Sequence, residues 1–444
     1  MNKIFSTILT ILTCLSFLSG YASTTHSGDK ARVIVMTDLG GDPDDAQSMI
    51  HLLVCADRID IEGLISTQAW LNDPDRLPKV MEVVNQYEAA FPNLQKHSSG
   101  FPSVEYIKSR TVRGQNIAHM DGVGDNMDTP GSELIINVVD DKSDERPVWI
   151  AAWGGMNTLA QAIHKIRGTR NDNELRKFLN KIRIYDILGQ DDAGAWIAKN
   201  FPEVTYIRNA HVYGWAPDDQ WTKSNIQSYK PLGVHYPDRI WATEGDSPSF
   251  LYLYANGLNM PEHPEYGGWG GRFSTQKIKN PRGMDFIKSS GKDESIYDDY
   301  YMTTSSSEGV NAINKWKQHI MNDFAARIQW SSTPDYNKAN HHPVVSVNGD
   351  SSFSPISIKA DKRSVVALDA GKTHDNDKND KLTYRWHVYE EPGTLKGVTI
   401  TNNDQPRCKV NLPDSKGTVH IILEVTDNGT PNLTSYKRVI IETM

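Results

Sequence analysis

The stretch VIVMTDLGGDPDDAQSMIHLLV, Val33 to Val54, carries four aspartates within eight positions: Asp38, Asp42, Asp44 and Asp45. The apolar run before them, RVIVMT, reads as a strand. The run after them reads as an amphipathic helix with Ala46, Met49, Ile50 and Leu53 on one face. The same alternation recurs downstream. IDIEGLIS precedes PDRLPKVMEVVNQYEAAF, PVWIAAW precedes MNTLAQAIHKIR, and IRIYDIL precedes AGAWIAKNF, with VTYIRN after it. Short apolar strands with helices between them predict a mostly parallel sheet covered on both faces. Ligands of such sheets bind beyond the carboxyl ends of the strands, and the aspartates lie at one such end.

Two readings of those aspartates compete. In the first, Asp42 is an N-cap, Pro43 the first helical residue, and Asp44 and Asp45 are acids that complement the helix dipole. That reading leaves Asp38 at the strand tip unexplained, along with the Gly40-Gly41 pair beside it. In the second, carboxylates from a strand end and a helix start converge on one point. They repel unless a cation sits among them, and hard oxygen ligands favour Ca²⁺ or Mg²⁺.

The surrounding chain narrows the classes. Its 444 residues are long for one domain, and 38% hydrophobic residues with 11 Trp and 18 Tyr suffice for a large core. A net charge of −8 argues against a nucleic-acid-binding face. Residues 1–22 combine a basic start, an apolar stretch and a small-residue cleavage site. They read as a signal peptide, with a retained anchor as the rival, so the protein is expected to be exported to the periplasm or beyond, with no membrane attachment after cleavage. Cys55 and Cys408 then remain, in different domains, so folding without a disulfide is expected. The histidines show no zinc spacing, and neither a phosphate-binding loop nor a nucleophile-elbow pattern is present.

Residues 30–332 are read as the α/β domain. Between Arg208 and Pro281 it carries long loops rich in aromatics and glycine, where rings are expected both to fill core and to line a sugar-binding cleft. SSTPDYNKANHHP (331–343) reads as a linker. Residues 341–444 hold VVSVNG, SVVALDA, LTYRWHVYEE, VTIT, RCKVNL, VHIILEVTDNG and SYKRVIIET, short strands that predict an immunoglobulin-like β-sandwich with its own core. THDNDKNDKLTYRW sets Asp375, Asp377 and Asp380 at ligand-like spacing and resembles loops of PKD- and cadherin-like modules. It is read as a solvated acidic turn, with a calcium site as the alternative.

A strand ending in Asp, a glycine turn and Asp-Asp-Ala opening a helix resembles the signature of the nucleoside hydrolases. GSELIINVVDD…PVWIAAWGGMNTLAQAI and EGDSPSFLYLYANGL are similar to two further units of that family. Nearly the whole mature chain is similar to a nucleoside hydrolase-like subgroup of cellulose-binding proteins in which this domain precedes a β-sandwich. The resemblance implies Ca²⁺ held by Asp38, Asp45, Asp246 and the carbonyl of Asn157, sugar hydroxyls held by Asp44, and Asp38 as general base on a calcium-bound water. Asp38 stands two residues farther from the Asp-Asp pair than the family pattern has it, so Asp42 competes for the role of base. Gly245 stands where some members carry a leaving-group histidine, which leaves Glu244 as the candidate acid. Gln190 and Asp191, at another strand end, are candidate sugar contacts, against the reading of a capped helix. The expected function is a calcium-dependent hydrolase of an O-glycoside; a non-catalytic carbohydrate-binding protein and a true nucleoside hydrolase are the alternatives. An oligomer is compatible with all three.

Overall fold

The computed structural model describes residues 30–69, 75–240, 243–281 and 299–444; the expected signal peptide lies outside them, as does Trp241. Eight strands form the first sheet: β1 (Arg32–Thr37), β2 (Asp60–Ser66), β3 (Thr111–Arg113), β4 (Val148–Ala152), β5 (Ile182–Ile187), β6 (Thr205–Asn209), β7 (Ile278–Lys279) and β8 (Tyr301–Thr304). Their order is β3-β2-β1-β4-β5-β6-β8-β7, parallel throughout except for β7 against β8.

The apolar continuity of β1 has a simple cause. Val33 and Val35 point into one core, beside Leu52 and Tyr87, while Ile34 and Met36 point into the other, beside Ile150 and Ile163. A strand buried on both faces shows no polar alternation. Strand order reverses between β1 and β4, because β2 lies on one side of β1 and β4 on the other. That switch point opens a crevice at the carboxyl ends of both strands.

The second domain is a sandwich. β10 (Val365–Asp369), β13 (Arg407–Asn411) and β12 (Thr399–Thr401) form one sheet in that order. β11 (Thr383–Tyr389), β14 (Gly417–Thr426), β15 (Thr434–Thr443) and β9 (Ile356–Ala360) form the other. Leu368, Trp386, Val410, Val419, Ile421 and Val439 fill the space between them. VVSVNG makes only isolated bridges, at Val344 and Val347, and β9 takes the edge beside β15.

Two features of this half go beyond what was expected. It has the core of its own that was expected, and Tyr389, Ile422 and Tyr436 in addition join the core of the first domain. Alternate residues of β14 and β15 face the α/β domain rather than water. There Arg438, fully buried, donates to the carbonyls of Leu258 (2.7 Å) and Gly267 (2.9 Å), and the indole of Trp269 donates to Tyr436 (3.2 Å). The linker is packed as well. The indole of Trp330 donates to the Asn340 carbonyl (2.8 Å), His341 stacks on Tyr336, and His342 pairs with buried Asp323 at 2.9 Å.

Candidate functional site

The crevice at the switch point is a cavity of about 750 Å³. Asp38, Asp42, Asp44 and Asp45 line it from the β1 turn and the following helix, Asp44–Val54. Trp153 enters from the end of β4, Leu188 and Gln190 from the end of β5, and Asp246 from the start of the helix Ser247–Leu251.

Asp44 and Asp45 stand in the first helical turn, as the first reading had them, but Asp42 does not cap the helix. The residue before the helix is Pro43, and no side chain caps the helix start. One carboxylate oxygen from each of Asp42, Asp44 and Asp45 lies within 4.8 Å of the others. Thr37, at the strand end, donates its hydroxyl to Asp45, and the backbone amide of Leu39 donates back to that hydroxyl (3.1 Å), which locks the strand-to-turn exit. Gly154 is required by the same crowding, since a Cβ there would lie 2.8 Å from the Asp38 carboxylate. Arg76, which lines the cavity, donates to the Asp38 carbonyl (2.8 Å) and steadies the turn.

The electrostatics follow from this packing. Burial pushes the Asp38 carboxyl up to about 7 and that of Asp44 up to about 8, with neighbouring carboxylates adding to both shifts. Asp45 and Asp246 are raised well above the usual carboxylate range by burial first and the other aspartates second. Oδ2 of Asp246 is buried without a hydrogen-bond partner. Clustered hard oxygens, one of them orphaned, fit a divalent cation of the Ca²⁺ type; their mutual repulsion is what such an ion would relieve.

The other expected site residues lie elsewhere. Asn157, proposed to lend its carbonyl, is fully buried at the start of the helix Asn157–Thr169. Its side-chain nitrogen donates to the carbonyls of Gln68 and Ile117 (2.9 Å each) and its side-chain oxygen accepts from Thr67 (2.5 Å), while the residue, whose backbone carbonyl was the expected ligand, is not among those lining the cavity. The Gly154-Gly155 turn carries the chain out of the crevice before Asn157, so the lining residue of that turn is Trp153, whose carbonyl accepts from Gln190. Asp191 is a helix cap, as the rival reading had it. Its oxygens accept from Gly194 (3.4 Å) and Met156 (2.9 Å) amides, which leaves Gln190 as the sugar-contact candidate of the pair.

Glu244 does not face the cavity. It is 1% exposed, and its carboxylate is held by His51 Nδ1 (2.7 Å) and the Tyr236 hydroxyl (2.8 Å). A left-handed φ of +50° at Glu244 accompanies this inward turn, and its amide donates to Gln47 (3.0 Å). An acid sealed in this way cannot reach a leaving group.

Tyr213 takes the space beside Gly245 instead. A Cβ at Gly245 would fall 2.5 Å from both the Tyr213 ring and Asp44 Oδ2. Tyr213 is 41% exposed and lines the cavity together with Arg76 and Arg239. None of the three was singled out in the sequence; a tyrosine in a loop dense with aromatics carries no local signal. Most of the other aromatics fill core, among them Trp149, Trp215 and Trp269. Burial, then the surrounding aspartates, raise the Tyr213 phenol, so it remains a hydrogen-bond donor.

A doubly covered parallel sheet with carboxylates at its switch point defines a nucleoside hydrolase-like α/β protein. More particularly, residues 32–273 match the family described as Cellulose-binding Sde182, nucleoside hydrolase-like domain, and residues 365–443 match Cellulose-binding protein Sde0182, C-terminal domain; the chain belongs to this family. A solved relative is a nucleoside hydrolase-related hypothetical protein from Saccharophagus degradans that is associated with carbohydrate metabolism. It is 43% identical, with 94% of this chain and 100% of that one covered and a TM-score of 0.88. The PKD domain from KIAA 1837 protein is 21% identical over 20% of this chain and 80% of its own, but its TM-score of 0.16 gives it no weight. No curated protein sequence matches the chain.

Proposed function

We propose that the chain is an exported carbohydrate-binding protein whose switch-point cavity holds a glycan over a cation-centred carboxylate cluster. The observation that carries this reading is the cavity itself. A volume of about 750 Å³ with carboxylates on the floor and Tyr213, Arg76 and Arg239 around it suits a polyhydroxylated ligand. Asp38, Asp45 and Asp246, with Asp42 beside them, would hold Ca²⁺. When bound, the ion supplies positive charge that attracts sugar oxygens and would acidify a water. Asp44 accepts hydroxyl hydrogens, Gln190 orients the ring from the β5 side, and Tyr213 donates from the open side. The family name and the S. degradans relative's association with carbohydrate metabolism support a glycan as ligand.

A second reading, glycoside hydrolysis, is favoured by one feature. Asp38 opens onto the cavity beside Asp42 and Asp44, where its carboxylate can take a proton from a water. The proton donor in that case is Tyr213 rather than Glu244.

The experiment is a paired panel on the mature chain: retention on cellulose and other insoluble polysaccharides, and turnover of aryl glycosides, cello-oligosaccharides, inosine and uridine. Calcium-dependent retention without turnover, lost in Asp45→Asn, supports the binding protein. Glycoside turnover abolished by Asp38→Asn supports the hydrolase. Cleavage of inosine with no glycan retention overturns both.

A further inference from the structure

We infer that the chain carries a second site for a hard divalent cation, Ca²⁺ foremost, between Asp375, Asp380 and Asp427 at the junction of linker and sandwich. These aspartates come from two loops. Asp375 and Asp380 lie between β10 and β11, and Asp427 lies between β14 and β15. One carboxylate oxygen from each lies within 4.8 Å of the other two.

Proximity alone would make this an acidic turn; the orphaned oxygens make it a site. Asp427 is 4% exposed, and its Oδ1 is fixed by three donors at 2.9 Å: the Asn340 side chain and the amides of Gly429 and Leu433. Its Oδ2 is buried with no partner, and the same is true of Oδ2 of Asp375 and of Asp380. Three buried acceptors thus converge where no donor meets them. Among the described residues none of the three carboxylates forms an ion pair, whereas the adjacent Asp377 is taken by the backbone amide and ring of His341. A buried carboxylate oxygen without a partner is costly, and half-buried Asp375 and Asp380 each add one to that of buried Asp427. Burial pushes the Asp375 carboxyl up to about 7 and raises Asp380 and Asp427 as well, with the other aspartates adding to each of the first two.

Only oxygens converge, with no histidine or cysteine among them, so the ligand class is calcium-like rather than zinc-like. The position also gives the ion a task. Asn340 of the linker donates to Asp427 and to the Pro431 carbonyl (2.8 Å), while its own carbonyl accepts from Trp330 of the last α/β helix. An ion here fixes both sandwich loops against the segment that joins the domains.

The test uses the full mature chain, stripped with chelator and titrated with Ca²⁺ by calorimetry, in wild type and in Asp375→Asn/Asp380→Asn. The variant should bind about one ion fewer per chain than wild type, whatever the wild-type total, and its melting temperature should rise less on calcium addition. Since asparagine removes charge at constant size, the variant in chelator should melt no lower than wild type in chelator. Equal stoichiometry and an equal calcium-induced rise overturn the site. Should the variant fail to fold, wild-type crystals soaked in Tb³⁺ decide: an anomalous peak among the three carboxylates upholds the site, and none refutes it. Loss of the ion at Asp45 would leave each of these results unchanged.

Discussion

The molecule solves one electrostatic problem twice, and the two solutions differ in what surrounds the carboxylates. At the switch point Asp38, Asp42, Asp44, Asp45 and Asp246 line a cavity of about 750 Å³, with Tyr213 and two arginines around it. In the sandwich Asp375, Asp380 and Asp427 each bury one orphaned oxygen, and Asn340 of the linker bonds to Asp427. Carboxylate clustering is common to both. What differs is the setting: only a smaller space of about 400 Å³, lined by Asn340 and Asp380, lies beside the second cluster, whereas the switch-point cavity adds an exposed tyrosine and two arginines to its carboxylates.

The largest test removes the closed region altogether. Ending the chain after Pro334 would strip Tyr389, Ile422 and Tyr436 from the shared core and leave the Leu258 and Gly267 carbonyls without Arg438. Loss of one buried aromatic alone costs about 3–5 kcal/mol, of the same order as total domain stability. The truncated α/β part should therefore be insoluble or should melt without cooperativity. A soluble fragment melting near the full chain would mean that the seam is dispensable and the sandwich a mere appendage.

Next in size is a crossed comparison of the two clusters. Asp44→Asn should weaken polysaccharide retention tenfold or more, since hydrogen bonds to a charged group are worth about 1.5–3 kcal/mol. Asp375→Asn/Asp380→Asn should leave retention within about twofold, because its effect lies in loop order rather than in the cavity. Equal losses of retention in both variants would collapse the distinction between an open and a closed cluster.

That distinction was only half legible in the sequence. Asp38, Asp42, Asp44 and Asp45 fall within eight positions, and apolar runs on either side fix a strand and a helix, so their convergence follows from local structure. Asp246 and Asn157 entered through family resemblance; the structure brings the first to the cavity and sends the second behind the Gly154-Gly155 turn. Asp427 could not be read at all. It reaches Asp375 and Asp380 only through the pairing of β11 with β14, a long-range register that no spacing rule encodes. The shared core was missed for a related reason. A strand with one face on its own sandwich and one on another domain shows the same continuous apolar run as any buried strand.

A smaller effect should come from Tyr213, which supplies the open cluster with its exposed donor. Tyr213→Phe keeps the ring over Gly245 and removes one hydroxyl, so glycan affinity should fall by about 1 kcal/mol, roughly fivefold. Tyr213→Ala should lose more, through the ring face. Binding isotherms with a soluble oligosaccharide separate the two. If Tyr213→Phe is silent and Tyr213→Ala is not, the ring acts by packing alone and the donor role assigned to it is wrong.

The smallest expected effect is a slope with pH, and it reports on the seam behind the closed cluster. His319 and His387 are held down to about 4 and His420 to about 3, each chiefly by burial, with Arg385 or Arg438 adding repulsion. The geometry at His420 agrees, because Arg438 donates to its Nδ1 (3.1 Å), which must therefore be the unprotonated nitrogen. A histidine whose folded pKa lies below its unfolded value near 6.5 binds fewer protons when folded. Its contribution to stability is complete above about 6.5 and is lost as pH falls from there towards 4. With calcium saturating, so that both aspartate clusters stay ionised, the melting temperature should hold from pH 8 to about 6.5 and decline below it. His420→Gln, which can still accept from Arg438, should flatten that decline without moving the neutral-pH melting point much. An unchanged slope in that variant would assign the acid sensitivity to another part of the molecule and remove the seam from the account of it.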